Sequence, residues 1–158
     1  MKTIKILLGL FLAQNLTSCL SPNEQVKVDS IEGEWDAEYP TQLEFNIEDA
    51  HTPKNIIFVL RNNNDYPYSN IRFFVTISKE GNQQPLEVDT LNYVLAKPNG
   101  KWIGTGFGET KKILLEYKSN YLFPSNGKYN VELKHAMRQN PLKGIEDVGV
   151  KIETVKQP

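Results

Sequence analysis

From Trp35 onward the chain is written in short runs with a period of two. Leu43, Phe45 and Ile47 alternate with Gln42, Glu44, Asn46 and Glu48. Ile71, Phe73, Val75 and Ile77 alternate with Arg72, Phe74 and Thr76, and Ile113, Leu115 and Tyr117 with Lys112, Leu114 and Glu116. Tyr129, Val131 and Leu133 alternate with Asn130, Glu132 and Lys134, and Val148, Val150 and Ile152 with Gly149, Lys151 and Glu153. Alternation sends every second side chain to one face, so each run predicts a half-buried β-strand. Asn55–Leu60 holds a continuous apolar run, as in a strand covered on both faces. Leu86–Leu95 is a less regular strand candidate, and Glu132–Gln139 is open to a closing helical turn.

The connections carry turn chemistry. Pro67 fixes a backbone angle within Asp65–Asn70, and Lys79–Asn82, Pro98–Gly100 and Pro124–Gly127 are rich in Gly, Asn, Ser and Pro. Regularly spaced strands with such turns predict an all-β domain, an antiparallel β-sandwich of immunoglobulin-like or jelly-roll-like form. Helical heptads and internal repeats are absent from the sequence.

The first 34 residues read differently. Lys2 and Lys5 precede an uncharged, mostly apolar run, Ile6–Ala13, which is far shorter than the roughly 20 residues of a spanning helix. Charge followed by a short apolar run is the pattern of an export signal. It ends in Leu16-Thr17-Ser18-Cys19, a large aliphatic, two small residues and a cysteine, the box recognised in bacterial lipoprotein processing. Residues 1–18 are thus read as a signal peptide, with Cys19 as the lipidated first residue of the mature protein. Two acyl chains give stable anchoring at about 0.8 kcal/mol per buried methylene. Residues 19–34 are expected as lipid anchor and polar tether, and 35–158 as one sandwich domain. With 158 residues in all, removing the first 18 leaves 140, an ordinary size for a single domain.

Composition narrows the function. Cys19 is the single cysteine, so no intramolecular disulfide forms and the fold stands on its core. The formal charge of −1 includes Lys2 and Lys5, so the mature chain is near −3 and lacks the basic excess of a nucleic-acid surface. Catalytic signatures are wanting. There is no Gly-x-Ser-x-Gly elbow, and lipid consumes the cysteine. His51 and His135 stand without metal-spaced neighbours; His135 continues the inward face of Tyr129-Val131-Leu133, and His51 sits in a polar turn. The acid pairs Glu48-Asp49 and Glu146-Asp147 point to opposite sides if extended. No catalytic residue, cofactor or metal ligand is therefore assigned.

Gly104, Gly106 and Gly108 lack the spacing of a dinucleotide or phosphate loop. Their period of two instead predicts a strand face stripped for close approach of a backbone, a ring or a partner, with Trp102 placed to cover Gly104. Trp35, Tyr39, Tyr66, Tyr68, Trp102 and Phe107 are the aromatics available for a sugar platform, although large aromatics in a sandwich mostly serve the core.

Several strings occur together: Arg61-Asn62 with Asp65-Tyr66-Pro67-Tyr68-Ser69-Asn70-Ile71, Asp89-Thr90-Leu91 with Tyr93, Leu95 and Ala96, and the run Pro98–Gly108. Phe123-Pro124 with Gly127 and Tyr129, Met137-Arg138, and Leu142–Gly149 follow in order. This ordered set, behind a lipoprotein signal, resembles the GldH family of gliding-motility lipoproteins of the Bacteroidetes over about Trp35–Glu153. The resemblance implies an envelope protein of the gliding and type IX secretion apparatus, without catalytic residues to carry over, and membrane-bound through its lipid. Arg61 is a candidate partner of Asp65 or Asp147. The expected role is docking on other envelope proteins, the alternative a sandwich that binds glycan or peptidoglycan. Leu20 after the lipidated cysteine, and the single acid in Leu20–Gln25, favour the outer membrane with the domain facing the periplasm.

Overall fold

A computed structural model describes residues 24–155. The signal peptide and Cys19 lie outside them. Ten strands follow in chain order: β1 (Glu24–Ser30), β2 (Glu34–Trp35), β3 (Thr41–Ile47), β4 (Lys54–Asn62), β5 (Asn70–Lys79), β6 (Glu87–Val94), β7 (Lys111–Tyr121), β8 (Gly127–His135), β9 (Leu142–Lys143) and β10 (Ile145–Thr154). No helix occurs among the described residues, and β8 runs as a strand to His135 where a helical turn was an option. The strands form two antiparallel four-stranded sheets, β1-β10-β4-β7 and β3-β8-β5-β6, with the small pair β2-β9 beside them. This is the all-β sandwich expected from the alternation.

The core lies between the sheets and takes the alternating positions. Phe45, Ile47, Phe73, Val75, Ile77, Tyr129, Val131 and Leu133 meet Ile56, Phe58, Leu60, Ile113, Leu115, Val148, Val150 and Ile152, all buried. Each such side chain contributes about 1.5–3 kcal/mol on full burial. Tyr129 also closes a corner: its hydroxyl donates to the Ser125 carbonyl at 2.5 Å, four residues upstream, while the ring packs against Phe123 at 4.7 Å.

The tether differs from expectation. Residues 24–30, read as part of a polar linker, form edge strand β1 against β10, from Glu24↔Glu153 to Ser30↔Asp147. The cause is an inverted pattern. Val26 and Val28 face outward, whereas Gln25, Lys27 and Asp29 face the rim of β3, so the strand presents no apolar inner face to read. Gln25 donates to the Asn46 carbonyl at 2.7 Å, Thr41 to Asp29 at 3.1 Å, and the Lys27 ammonium lies 5.8 Å from the Phe45 ring centre. Only residues 20–23 separate Cys19 from this strand.

Candidate functional site

The residues singled out for chemistry are dispersed by the fold. His135 ends β8 pointing inward, 1% exposed, its ring edge-on to Trp35 at 5.3 Å. Asn140 Oδ1 accepts the Ala37 N–H at 2.8 Å and stands 3.3 Å from His135 Nε2, while Asn140 Nδ2 donates to Asp36 Oδ1 at 2.9 Å. Burial holds the imidazole pKa below its usual 6.5, against the opposing bond from Asn140. Asp36 is held below the usual carboxylate value by the Glu38 N–H first and by Asn140 second. This chain of bonds ties the loop after β2 to the loop after β8. It is a structural lock, since a histidine closed to solvent meets no substrate. His51 is exposed in its turn.

The acid pairs do not converge. Asp49 takes both the Thr52 hydroxyl and the Thr52 N–H, and the hydroxyl chiefly lowers its pKa. Glu146 accepts from Asn63, whereas Asp147 pairs with Arg61 at 2.6 Å. Of the two acids offered to Arg61, the structure selects Asp147; β4 and β10 put Arg61 and Asp147 in register. Among the described residues, no three His, Cys, Asp or Glu side chains gather as a metal site.

The glycine run is not a strand. Between Leu95 and Lys111 the chain forms an arm held by two isolated bridges, Ala96↔Trp102 and Thr105↔Lys112. A Cβ on Gly104 would stand 2.6 Å from the Lys112 carbonyl oxygen and 2.5 Å from Ile113, so the stripping does serve close approach of another backbone. Trp102 does not cover Gly104 in the way a regular strand would allow; it packs on Tyr66 at 6.2 Å. Gly106 and Gly108 adopt positive φ, which breaks the extended run and turns the arm through a tip. Lys111 Nζ donates to the carbonyls of Gly106 (3.0 Å) and Gly108 (2.7 Å), clamping that tip. Phe107 stands on it fully exposed.

The sugar platform is dismantled in the same way. Trp35 and Tyr66 are core residues, and Tyr68 packs edge-on to Tyr66 at 5.8 Å. Tyr39 and Phe107 are exposed on separate loops.

What remains at the surface is apolar and unplanned by the alternation. Across the outer face of the first sheet, registers align Val28, Gly149, Val59 and Leu114 in one row, and Val26, Lys151, Ile57 and Glu116 in the next. Val26, Val28 and Leu114 are 41–54% exposed, and Gly149 has no side chain to interrupt the row. The outer face of the second sheet is polar, with Gln42 bonded to Glu132 and Lys128 paired with Glu44; Phe74, Val88 and Val94 stand there singly. No motif marks the apolar row. Its signal was the misfit of Val26 and Val28 in a stretch with no inward apolar face.

An all-β sandwich behind a lipoprotein box defines a class, and relatives specify it. The sequence model of the family described as GldH lipoprotein matches residues 25–152. The chain is 40% identical over 127 residues to a gliding motility lipoprotein GldH homolog of Christiangramia forsetii, covering 76% of this chain and 77% of that one. It is 32% identical over 145 residues to the gliding motility lipoprotein GldH of Flavobacterium johnsoniae, covering 87% and 89%. Among solved structures, dimeric latent PorU from Porphyromonas gingivalis aligns at a TM-score of 0.38 and 9% identity, over 84% of this chain and 13% of that chain. The tobacco streak virus coat protein aligns at 0.28 and 9%, over 88% and 94%. Likenesses this slight assign no role. The chain belongs to the GldH lipoprotein family, and is thus a gliding-motility-related lipoprotein of the cell envelope.

Proposed function

We propose that this lipoprotein, held by acyl chains on Cys19 after removal of residues 1–18, is a non-enzymatic accessory that docks on other proteins of the gliding and type IX secretion apparatus. It would do so from the outer membrane, facing the periplasm. Family membership supports the setting. The observation that supports docking is the apolar outer face of the first sheet, where Val26, Val28 and Leu114 are exposed around the buried Val59, since grouped exposed apolar side chains mark interaction sites. The test is affinity purification of the lipidated protein from its own envelope, with Val28→Asp/Leu114→Asp in parallel. Envelope proteins of the motility apparatus should co-purify with the wild type and be lost from the variant. Recovery of peptidoglycan alone, equal for both proteins, would replace docking by glycan binding. Cys19→Ala should release the protein from membranes; undiminished partitioning would refute the anchor. Complete digestion by a protease confined outside intact cells would place the domain on the outer surface.

A further inference from the structure

The outer-face row leaves the Phe107 tip unexplained. An aromatic side chain wholly in water is costly, and here nothing loose holds it there. The Thr105↔Lys112 bridge has both hydrogen bonds, Thr105 N–H to Lys112 at 2.9 Å and Lys112 N–H to Thr105 at 2.7 Å. The Lys111 ammonium fastens two further carbonyls within the tip. A pre-ordered aromatic anchor loses little entropy on binding, which is the usual economy of interface hot spots.

Charge and position say what it fits. The tip hairpin Thr105–Lys112 carries Lys111 and Lys112 against Glu109, and Lys97 and Lys101 stand on the preceding turn of the same arm, closed by Ala96↔Trp102, although the mature chain is acidic overall. Glu24, Glu153, Asn55, Lys54 and Tyr121 share one end of the first sheet, and Ser30, Asp147, Arg61 and Lys112 lie toward the other. The proposed lipid on Cys19 would therefore hold the first end. Its tether, from Cys19 to Glu24, spans at most about 18 Å at roughly 3.6 Å per residue. The 11 residues of β7 rise about 3.3 Å each toward the arm. In an upright domain the tip points away from the anchoring bilayer.

We infer that the Phe107 hairpin is a docking finger that inserts into an apolar, acid-rimmed pocket of another envelope protein, with Lys97, Lys101 and Lys112 meeting the rim. This rests on the docking reading above and names its contact. A photo-crosslinking phenylalanine analogue placed at position 107 of the full-length lipidated protein, in its own cells, tests it. The expected result is a discrete protein adduct whose cross-linked peptide is apolar and flanked by Asp or Glu. Combining the analogue with K97E/K101E/K112E should cut its yield by about tenfold, the effect of roughly 1.4 kcal/mol on an equilibrium. Adducts with lipid, diffuse ladders, adducts on a basic surface, or a yield unmoved by the charge reversal overturn the finger. If position 107 gives no adduct while affinity purification still recovers partners, the finger falls and docking stands. If neither recovers a partner, both fall.

Discussion

The two long sides of the sandwich are closed by different chemistry. At the β6/β7 side, the Tyr117 hydroxyl donates to Asp89 at 2.6 Å, and Lys118 reaches Glu87 and Asp89 at 3.2 Å each. Tyr93 donates to the Glu116 carbonyl at 2.8 Å, and Tyr117 stacks on the buried Phe58 at 4.9 Å. Burial raises the phenol of Tyr93 to about 12 and that of Tyr117 further, the latter aided by its bond to Asp89. The β1/β3 side has two side-chain hydrogen bonds and one lysine near a ring. One seam is thus ionic and backed by aromatic rings of the core; the other is lightly fastened. The lesson is that the first strand, next in sequence to the proposed anchor, is held less firmly from the side than the β6/β7 edge.

Removing the aromatic backing should break this contrast most strongly. Phe58→Ala, which leaves Tyr117, Tyr93 and Phe73 without a common neighbour, is expected to lower stability by about 3–5 kcal/mol in chemical unfolding. A loss below about 1 kcal/mol would mean that the ionic seam stands without its rings. Gly104→Val, which drives a side chain against the Lys112 carbonyl where the arm joins β7, should cost about 1–3 kcal/mol.

Acid should loosen the firm side through Asp89 and, separately, the lock between the loops after β2 and β8 through His135. The Tyr117 hydroxyl, first among the causes, lowers the Asp89 pKa below its usual 3.8. A depressed carboxylate adds stability that is present above 3.8 and lost as pH falls through the folded value. His135 acts earlier: its depressed pKa gives stability that is full above 6.5 and declines as pH drops toward the folded value. His135→Gln should remove the first decline, and Asp89→Asn should then flatten the second. An unchanged acid limb in the double variant would show that neither group carries it.

The smallest effect belongs to the loose side. Thr41→Val, which deletes the bond to Asp29, should change global stability by about 1 kcal/mol or less, while speeding amide exchange in β1 more than in β7. Equal exchange in the two strands would erase the distinction between the sides.

Much of this architecture is legible in the sequence alone. β3, β5, β8 and β10 follow the alternation nearly residue for residue, because each has one face in the core and period two records that directly. His135 was legible as a core residue by the same rule. β1 was not, because its inner face meets only a rim and takes polar side chains, leaving its valines outside. The glycine arm misled for the opposite reason. Spacing of two suggests a strand, but positive φ at Gly106 and Gly108 is a backbone property that spacing does not encode. The Glu87, Asp89, Tyr117 and Lys118 seam was invisible because its partners lie some 30 positions apart on strands of different sheets, 28 between Asp89 and Tyr117. The clearest missed cue was local: Phe107 sits between two glycines, where no strand neighbour can shelter it.

The placement of β1 has a mechanical meaning. With the proposed lipid on Cys19, load would enter the fold at Glu24 and run along the strand axis when the far end of the sandwich is held. Tension in that direction shears β1 against β10, so the seven register positions from Glu24↔Glu153 to Ser30↔Asp147 share it at once. A pull across the sheet would instead open them one after another, like a zip. Survival under such load is set by an unfolding rate rather than an equilibrium. An otherwise weakly sided strand would thereby serve as an attachment under the proposed docking.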